Sequence, residues 1–183
     1  MDPGPGIISL STKMAPKAKT AASNVGVRLP FAYRLFFLFI EPVSALFGAC
    51  YAHCRPETYL NLTDPSGWAA TTPGIRPEGI PRATGIALSQ LGNLYLFFAL
   101  NEAIVLRAAG GSLKIWKAVL TVLLIADVGH LWTLQPLGWP LYWDVAGWNA
   151  IHWGNVPFVY LGATMRICFL WGLGLGANRG TRS

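Results

Sequence analysis

Charged residues are scarce in this chain, and their scarcity argues against a soluble fold. Asp, Glu, Lys and Arg make up 12% of the 183 residues, whereas a soluble domain usually carries about 25%. Acidic residues are the rarer kind, with eight Asp and Glu against fourteen Lys and Arg. Because 53% of the residues are hydrophobic and the mean hydropathy is +0.42, the composition predicts an integral membrane protein.

Sequence motifs of several enzyme classes are also missing. The three histidines are scattered, without the spacing of a zinc site or of a membrane di-iron oxygenase. There is no glycine-rich nucleotide loop, no aspartate-rich repeat and no serine in a nucleophile elbow. We therefore expect neither a metal nor a cofactor. The net charge of +6 is spread around the apolar segments, which favours topology-determining flanks over a nucleic-acid surface.

Four apolar stretches dominate the chain between a polar arm and a short tail. Each has about 20 residues or more, enough to cross a bilayer core of roughly 30 Å as a helix. The sequence therefore predicts an all-α, four-transmembrane-helix bundle over residues 29–176, with a flexible arm at 1–28 and a tail at 177–183. The predicted helices are about 29–51, 84–106, 113–134 and 153–174, joined by an irregular loop 52–83, a tight turn and a loop 135–152.

The distribution of Lys and Arg predicts the orientation. Ten of them flank one side of the predicted bundle and three flank the other, which places both termini in the cytosol. The arm lacks the apolar core of a cleavable signal peptide, so we expect a multi-pass protein of the endoplasmic reticulum. Loop 52–83 would then be lumenal, with a glycosylation sequon at Asn61. Cys50 and Cys54 would lie at the same lumenal exit, either as a disulfide or as free thiols.

Tryptophan and tyrosine are concentrated around the loop 135–152. Such side chains favour the membrane–water interface, so we expect this loop to lie on the membrane surface with a short helix near 143–150. An aromatic lid over a substrate site is the alternative. The aromatic residues are Trp132, Trp139, Tyr142, Trp143, Trp148 and Trp153.

Charged residues inside the apolar stretches call for partners, because an unpaired charge in lipid costs roughly 3 kcal/mol or more. Glu41 and Arg166 fall near the middle of the first and fourth stretches, so we expect them to form a buried ion pair. Arg34 and Glu102 lie at similar depth nearer the cytosolic side and form the second predicted pair. Structural pairing is the favoured interpretation of both.

A second polar group is predicted in the lumenal half. Asp127 and His130 are one turn apart on the third stretch, where a carboxylate can orient an imidazole and raise its basicity. This pair could move a proton within a lipophilic molecule. The residues expected to bind substrate beside it are Asn93, Asn155, His152 and Gln90. A satisfied polar network that holds three helices together is the alternative.

Three segments carry a resemblance to a known family. The run Tyr33–Ala45 (YRLFFLFIEPVSA), the motif Asp127–His130 (DVGH) and the region Trp143–Asn149 resemble a fungal family of small four-helix integral membrane proteins. That family is largely uncharacterised, and some members sit beside secondary-metabolite genes. The resemblance implies a four-helix topology and a fungal endomembrane setting. A looser architectural likeness is to the sterol-isomerase (emopamil-binding) group.

Two classes of function remain open on the sequence. The first is a membrane enzyme, a cyclase or isomerase that acts by proton transfer on a lipophilic terpenoid- or polyketide-like intermediate, with Asp127 and His130 as the acid/base pair. The second is a non-catalytic carrier or scaffold for biosynthetic enzymes. The expected partners are a lipophilic small molecule and membrane lipid, with a homo-oligomer or biosynthetic enzymes as further candidates and no nucleic acid.

Overall fold

The computed structural model describes Met1 and residues 29–65 and 80–176, and these residues form helices, turns and loops without a strand. The predicted arm and tail and much of the first loop lie outside the described residues. The helices are α1 Phe31–Cys54, α2 Pro56–Thr63, α3 Arg82–Leu106, α4 Leu113–Thr133, α5 Ala150–Asn155 and α6 Pro157–Leu170. The all-helical class is confirmed.

Three of these helices, α1, α3 and α4, are long and apolar enough to cross a membrane. The fourth predicted span differs, because it is divided into α5 and α6 at Val156. Pro157 disfavours a helical conformation in the residue before it but is well suited to the first turn of a helix. The 14 residues of α6 rise about 21 Å at 1.5 Å per residue, which is shorter than a bilayer core.

A π-helical segment, Phe36–Ile40, lies within α1 just before Pro42. Proline has no N–H, so it cannot donate to the carbonyl of Leu38 four residues earlier. Arg107, just past the end of α3, donates from Nη2 to that carbonyl at 2.7 Å. The guanidinium of Arg107 also lies 4.8 Å from the centroid of the Phe39 ring. The irregular part of α1 is thus held by a side chain from the neighbouring helix.

Small residues bring α1 and α3 close together. A Cβ added at Gly92 would lie 3.3 Å from the backbone oxygen of Ala49 and 3.4 Å from the Cβ of His53. A Cβ at Gly48 would contact the Tyr95 ring at 3.4 Å. Close approach of backbones through small residues is a common means of helix association in membranes. This packing fixes which side of α3 faces the bundle.

The main core lies at the end of the bundle where α1 begins and α6 ends. It is dominated by aromatic rings: Tyr33 meets Phe169 edge-on at 5.1 Å between centroids, and Trp116 stacks on Phe169 at 5.6 Å. Phe37 and Trp116 are almost completely buried. These contacts join α1, α4 and α6 into one body beneath the polar residues described below.

The two connecting segments are more ordered than predicted. Residues 56–63 form helix α2 instead of an irregular loop, and Asn149 on the second segment donates from Nδ2 to the Leu62 carbonyl at 2.6 Å. The Asn149 side-chain oxygen also accepts from the N–H groups of Ile151 and His152 and so caps α5. The short helix predicted near 143–150 lies further along, at Ala150–Asn155, after three 3-10 turns.

Candidate functional site

Four charged side chains, one from each of α1, α3, α4 and α6, meet inside the bundle. Arg166 of α6 donates from Nη2 to Glu41 Oε1 at 2.6 Å and to Glu102 Oε1 at 3.3 Å. Its Nη1 donates to Asp127 Oδ2 at 2.8 Å. We call Glu41, Glu102, Asp127 and Arg166 the four-charge cluster. One guanidinium thus holds three carboxyl groups from three different helices.

Irregular helix geometry contributes two of the three carboxyl groups. Glu41 directly follows the π-helical segment of α1, and Glu102 lies within a second π-helical segment, Asn101–Leu106, at the end of α3. The two segments contact each other. Single-turn π segments inside α-helices are frequent at functional sites, because the wider turn changes the direction in which side chains point.

Gly162 provides the space for the guanidinium of Arg166, which lies one turn further along α6. A Cβ at position 162 would lie 2.6 Å from Arg166 Nη1 and 3.0 Å from Glu41 Oε1. Both distances are below normal contact, so the cluster in this geometry requires glycine.

The surroundings of the cluster are apolar and aromatic. The Arg166 guanidinium carbon lies 5.6 Å from the ring centroids of both Phe37 and Phe98. Such distances allow a favourable interaction between a cation and the face of an aromatic ring. The side chains of Arg166 and Glu102 are fully buried, while those of Glu41 and Asp127 are 7% and 8% exposed. Glu41 and Asp127 are therefore the two members of the cluster that lie nearest to the outside of the bundle.

The charges of the cluster do not balance. In the part of the chain that the structure describes, Arg166 is the sole cation in an ion pair with the three carboxyl groups. Three ionised carboxylates and one guanidinium would leave two uncompensated negative charges in an apolar interior, where charge is costly. Glu41 Oε1 and Glu102 Oε1 accept from the same nitrogen, Arg166 Nη2, and two neighbouring carboxyl groups can hydrogen-bond to each other when one carries a proton.

Several polar atoms of the cluster have unused hydrogen-bonding capacity. Glu41 Oε2, Glu102 Oε2 and Arg166 Nε are buried and have no hydrogen-bond partner among the described residues. Buried polar atoms are normally paired, so unpaired ones call for an explanation. Protonation of one glutamate would give its free oxygen a hydrogen to donate.

The predicted ion pairs have different outcomes. Glu41 lies against Arg166, as the depth argument placed it. The predicted Arg34–Glu102 pair does not form, because Arg34 is exposed and Glu102 binds Arg166 instead. Depth along a helix does not specify direction around it, and the π-helical segment that contains Glu102 changes that direction.

The predicted acid/base pair is divided between two environments. The Asp127 carboxylate binds Arg166, while the His130 ring lies beside the backbone of Asn155. Within the described hydrogen bonds, none joins Asp127 to His130. Asn155 is buried near His130, but His130 Nε2 is buried without a partner among the residues that the structure covers.

The other predicted substrate-binding residues lie away from the cluster. Gln90 and Asn93 are exposed, because the small residues of α3 take the inward side in packing against α1. His152 Nε2 lies 3.2 Å from the Thr63 carbonyl and links α5 to the end of α2. The predicted convergence of Asn93, Gln90 and His152 on Asp127 is therefore corrected.

The remaining predicted features lie on the surface. Asn61 is exposed on α2, and Cys50 and Cys54 are exposed free thiols. Four tryptophans of the aromatic loop and its flanks are more than half exposed, in agreement with a position at a membrane interface. These are Trp132, Trp139, Trp143 and Trp153.

Comparison with known proteins assigns a family without a function. A family model described as a domain of unknown function, DUF7704, matches residues 26–176. The chain belongs to the DUF7704 family. No curated protein and no solved structure matches it. The matched region includes every helix of the DUF7704 domain described above, and all four members of the cluster lie within it.

Proposed function

We propose that the four-charge cluster is a proton-transfer site for a lipophilic substrate, and that the protein is a membrane-embedded isomerase or cyclase. The observation that carries this proposal is the excess of carboxyl groups over guanidinium groups in an apolar interior. A site that holds such an excess retains protons on its carboxyl groups, and a protonated carboxyl beside a guanidinium is a competent acid because Arg166 stabilises the carboxylate that remains.

In this proposal each carboxyl group has a role. Glu41 and Glu102 share a proton, and Glu41, whose side chain is 7% exposed, delivers it to one carbon of a substrate double bond. Asp127, held by the other terminal nitrogen of Arg166, accepts a proton from a neighbouring carbon. The double bond moves and no proton is gained or lost overall, because one carboxyl group gives up a proton and another takes one up, and exchange with water then restores both. Nearby aromatic rings stabilise the cationic intermediate.

The substrate class follows from the setting. The groups around the cluster are aromatic and aliphatic. A substrate that enters from the lipid therefore needs a reacting double bond but no hydrogen-bonding groups. A neutral terpenoid- or polyketide-like intermediate of secondary metabolism has this character. His130, Asn155 and their surroundings would then hold the helices rather than transfer the proton.

A second candidate function is a non-catalytic scaffold or carrier. The complete burial of Arg166 and Glu102 favours it, since a closed polar cluster can hold four helices together without touching a ligand. In that case the exposed face of α3 with Gln90 and Asn93 would be available to a second copy or to a biosynthetic enzyme.

The proposed topology has four spans with both termini in the cytosol, in the endoplasmic reticulum membrane. The three long helices support three spans, and α5 with α6 would provide the fourth, with the exposed tryptophans at the lumenal interface. This topology exposes Asn61 to glycosylation. A reporter fused after residue 183 discriminates between three and four crossings. With the N-terminus in the cytosol, the reporter is accessible from the cytosolic side if the chain crosses four times and protected from protease if it crosses three times.

Hydrogen exchange into a bound lipophile tests the catalytic proposal. The protein is purified from membranes prepared in D₂O, and the co-purified small molecules are identified by mass spectrometry. An isomerase introduces deuterium at carbon, and Asp127→Asn abolishes this while the protein still accumulates. Asp144→Asn, an exposed aspartate in the aromatic loop, is the matched control and retains incorporation. Equal incorporation in both variants would contradict the role of Asp127, and no incorporation in the wild type would favour the scaffold.

A further inference from the structure

A cavity of about 370 Å³ opens at the end of the bundle where α1 begins, α3 ends and α4 begins. Its volume falls within the range of about 300–1,000 Å³ typical of small-molecule sites. Arg34 and Arg107 line it together with Gly110, Gly111 and apolar side chains. The cavity is separate from the four-charge cluster, since none of the four cluster residues lines it.

Positive charge in this cavity is uncompensated among the residues that line it. No Asp or Glu is among those residues, and Arg34 has no ion-pair partner in the described part of the chain. Arg107 is fixed in place because it donates from Nη1 to the Ala103 carbonyl at 3.0 Å and from Nη2 to the Leu38 carbonyl at 2.7 Å. The Arg107 guanidinium is therefore preorganised, and the Arg34 guanidinium is free to move onto a ligand.

The remainder of the lining is apolar. Leu38, Leu106 and Trp116 contribute to the wall, and Trp116 is oriented by a hydrogen bond from its Nε1 to the Gly110 carbonyl at 3.0 Å. The cavity thus offers two cationic groups at the end of the membrane-compatible helices and an apolar wall beside them. Lipid headgroups lie at this level of a bilayer.

We propose that this cavity binds a phosphate group on a ligand that carries no positive charge of its own. Arg34 and Arg107 bind the phosphate oxygens, for which guanidinium groups have the matching geometry. The phosphate comes either from an anionic lipid or from a free phosphate ligand. The apolar wall would contact the first carbons of a lipid chain, and the proposal is independent of proton transfer at the four-charge cluster.

A thermal-unfolding titration in uncharged maltoside micelles tests this site. The probes are dioleoyl phosphatidic acid, dioleoyl phosphatidylcholine and inorganic phosphate. We expect a saturable rise in Tm with phosphatidic acid and a much weaker response to phosphatidylcholine. A response to phosphatidic acid alone assigns the lipid as the source, and an equal response to inorganic phosphate assigns the free anion; both support the site.

Two variants that each remove one positive charge distinguish binding in this cavity from nonspecific attraction to the protein surface. Arg34→Gln removes an exposed guanidinium from the cavity, and loss of one hydrogen bond to a charged group weakens the apparent affinity by about tenfold or more. Lys117→Gln removes a charge from α4 outside the cavity lining and leaves the affinity unchanged. Equal loss in both variants, no loss in either, or an equal response to phosphatidylcholine would overturn the proposal.

Discussion

Replacement of Gly162 by alanine is a specific perturbation of the four-charge cluster, because it adds one methyl group and no charge. The new Cβ would lie 2.6 Å from Arg166 Nη1 and 3.0 Å from Glu41 Oε1. The same nitrogen, Nη1, donates to Asp127 Oδ2 at 2.8 Å. The cluster must therefore shift, and the hydrogen bonds that join α6 to α1 and α4 lengthen together.

The expected magnitude follows from two opposing terms. Alanine is more favourable than glycine inside a helix by roughly 1 kcal/mol. Overpacking in a close-packed interior costs about 1–3 kcal/mol, and weakening a buried ion pair costs up to about 3–5 kcal/mol if one bond is lost outright. Relative to a glycine-to-alanine change on a helix that meets no neighbour, where the helix gain is the same, we expect a loss of about 1–3 kcal/mol in the free energy of unfolding, and more if one bond is lost outright.

Thermal unfolding in detergent, followed by far-UV circular dichroism, measures this loss. For a chain of this size, 1 kcal/mol corresponds to a change of about 2–4 °C in Tm. Gly129→Ala on α4 is the matched control, because a Cβ there meets nothing within 4 Å, and its Tm should be equal to or above that of the wild type. If Gly162→Ala is as stable as Gly129→Ala, the cluster is not packed as described.

Three further predictions concern the polar contacts that join the helices. Arg166→Met leaves three carboxyl groups without a counter-charge and should cost about 3–5 kcal/mol of stability. The double variant Arg166→Met with Glu41→Gln should cost less than the sum of the two single variants. Additive losses in Tm would contradict the ion pair. Arg107→Gln should destabilise the wild type more than a Pro42→Ala background, in which the backbone N–H is restored; equal effects in chemical denaturation would contradict the proposed compensation. Asn149→Ala should cost about 1–2 kcal/mol through the α5 cap, while Asn149→Asp keeps the cap and loses the donor to α2, so unequal Tm values separate the two contacts.

Length and hydropathy are local properties of the sequence. They were sufficient to predict the helical class and the three long helices α1, α3 and α4. The division of the fourth apolar stretch was missed, although Pro157 was its signal. Residues 153–174 form one apolar run by hydropathy, but the residue before a proline resists the helical conformation.

The composition of the four-charge cluster was partly accessible from the sequence. Its four members all lie inside the predicted apolar stretches, but they were assigned to two ion pairs, one of them with Arg34, and to a catalytic pair with His130. Depth along each helix could be estimated, whereas rotation depends on π-helical turns that no local pattern reveals. The polar face of Gln90 and Asn93 was expected to point inward because the closer packing available through Gly92 was overlooked.

The protonation of the cluster is the central claim, and infrared spectroscopy of the purified protein at neutral pH tests it most directly. The C=O stretch of a protonated carboxylic acid is resolved from that of a carboxylate, and it shifts on exchange into D₂O. If a glutamate of the cluster carries a proton, the wild type shows such a band, and the band is lost or displaced in Glu102→Gln and unchanged in Asp144→Asn. A wild-type spectrum without a protonated carboxyl band, or a band that is unaltered in Glu102→Gln, would contradict the account.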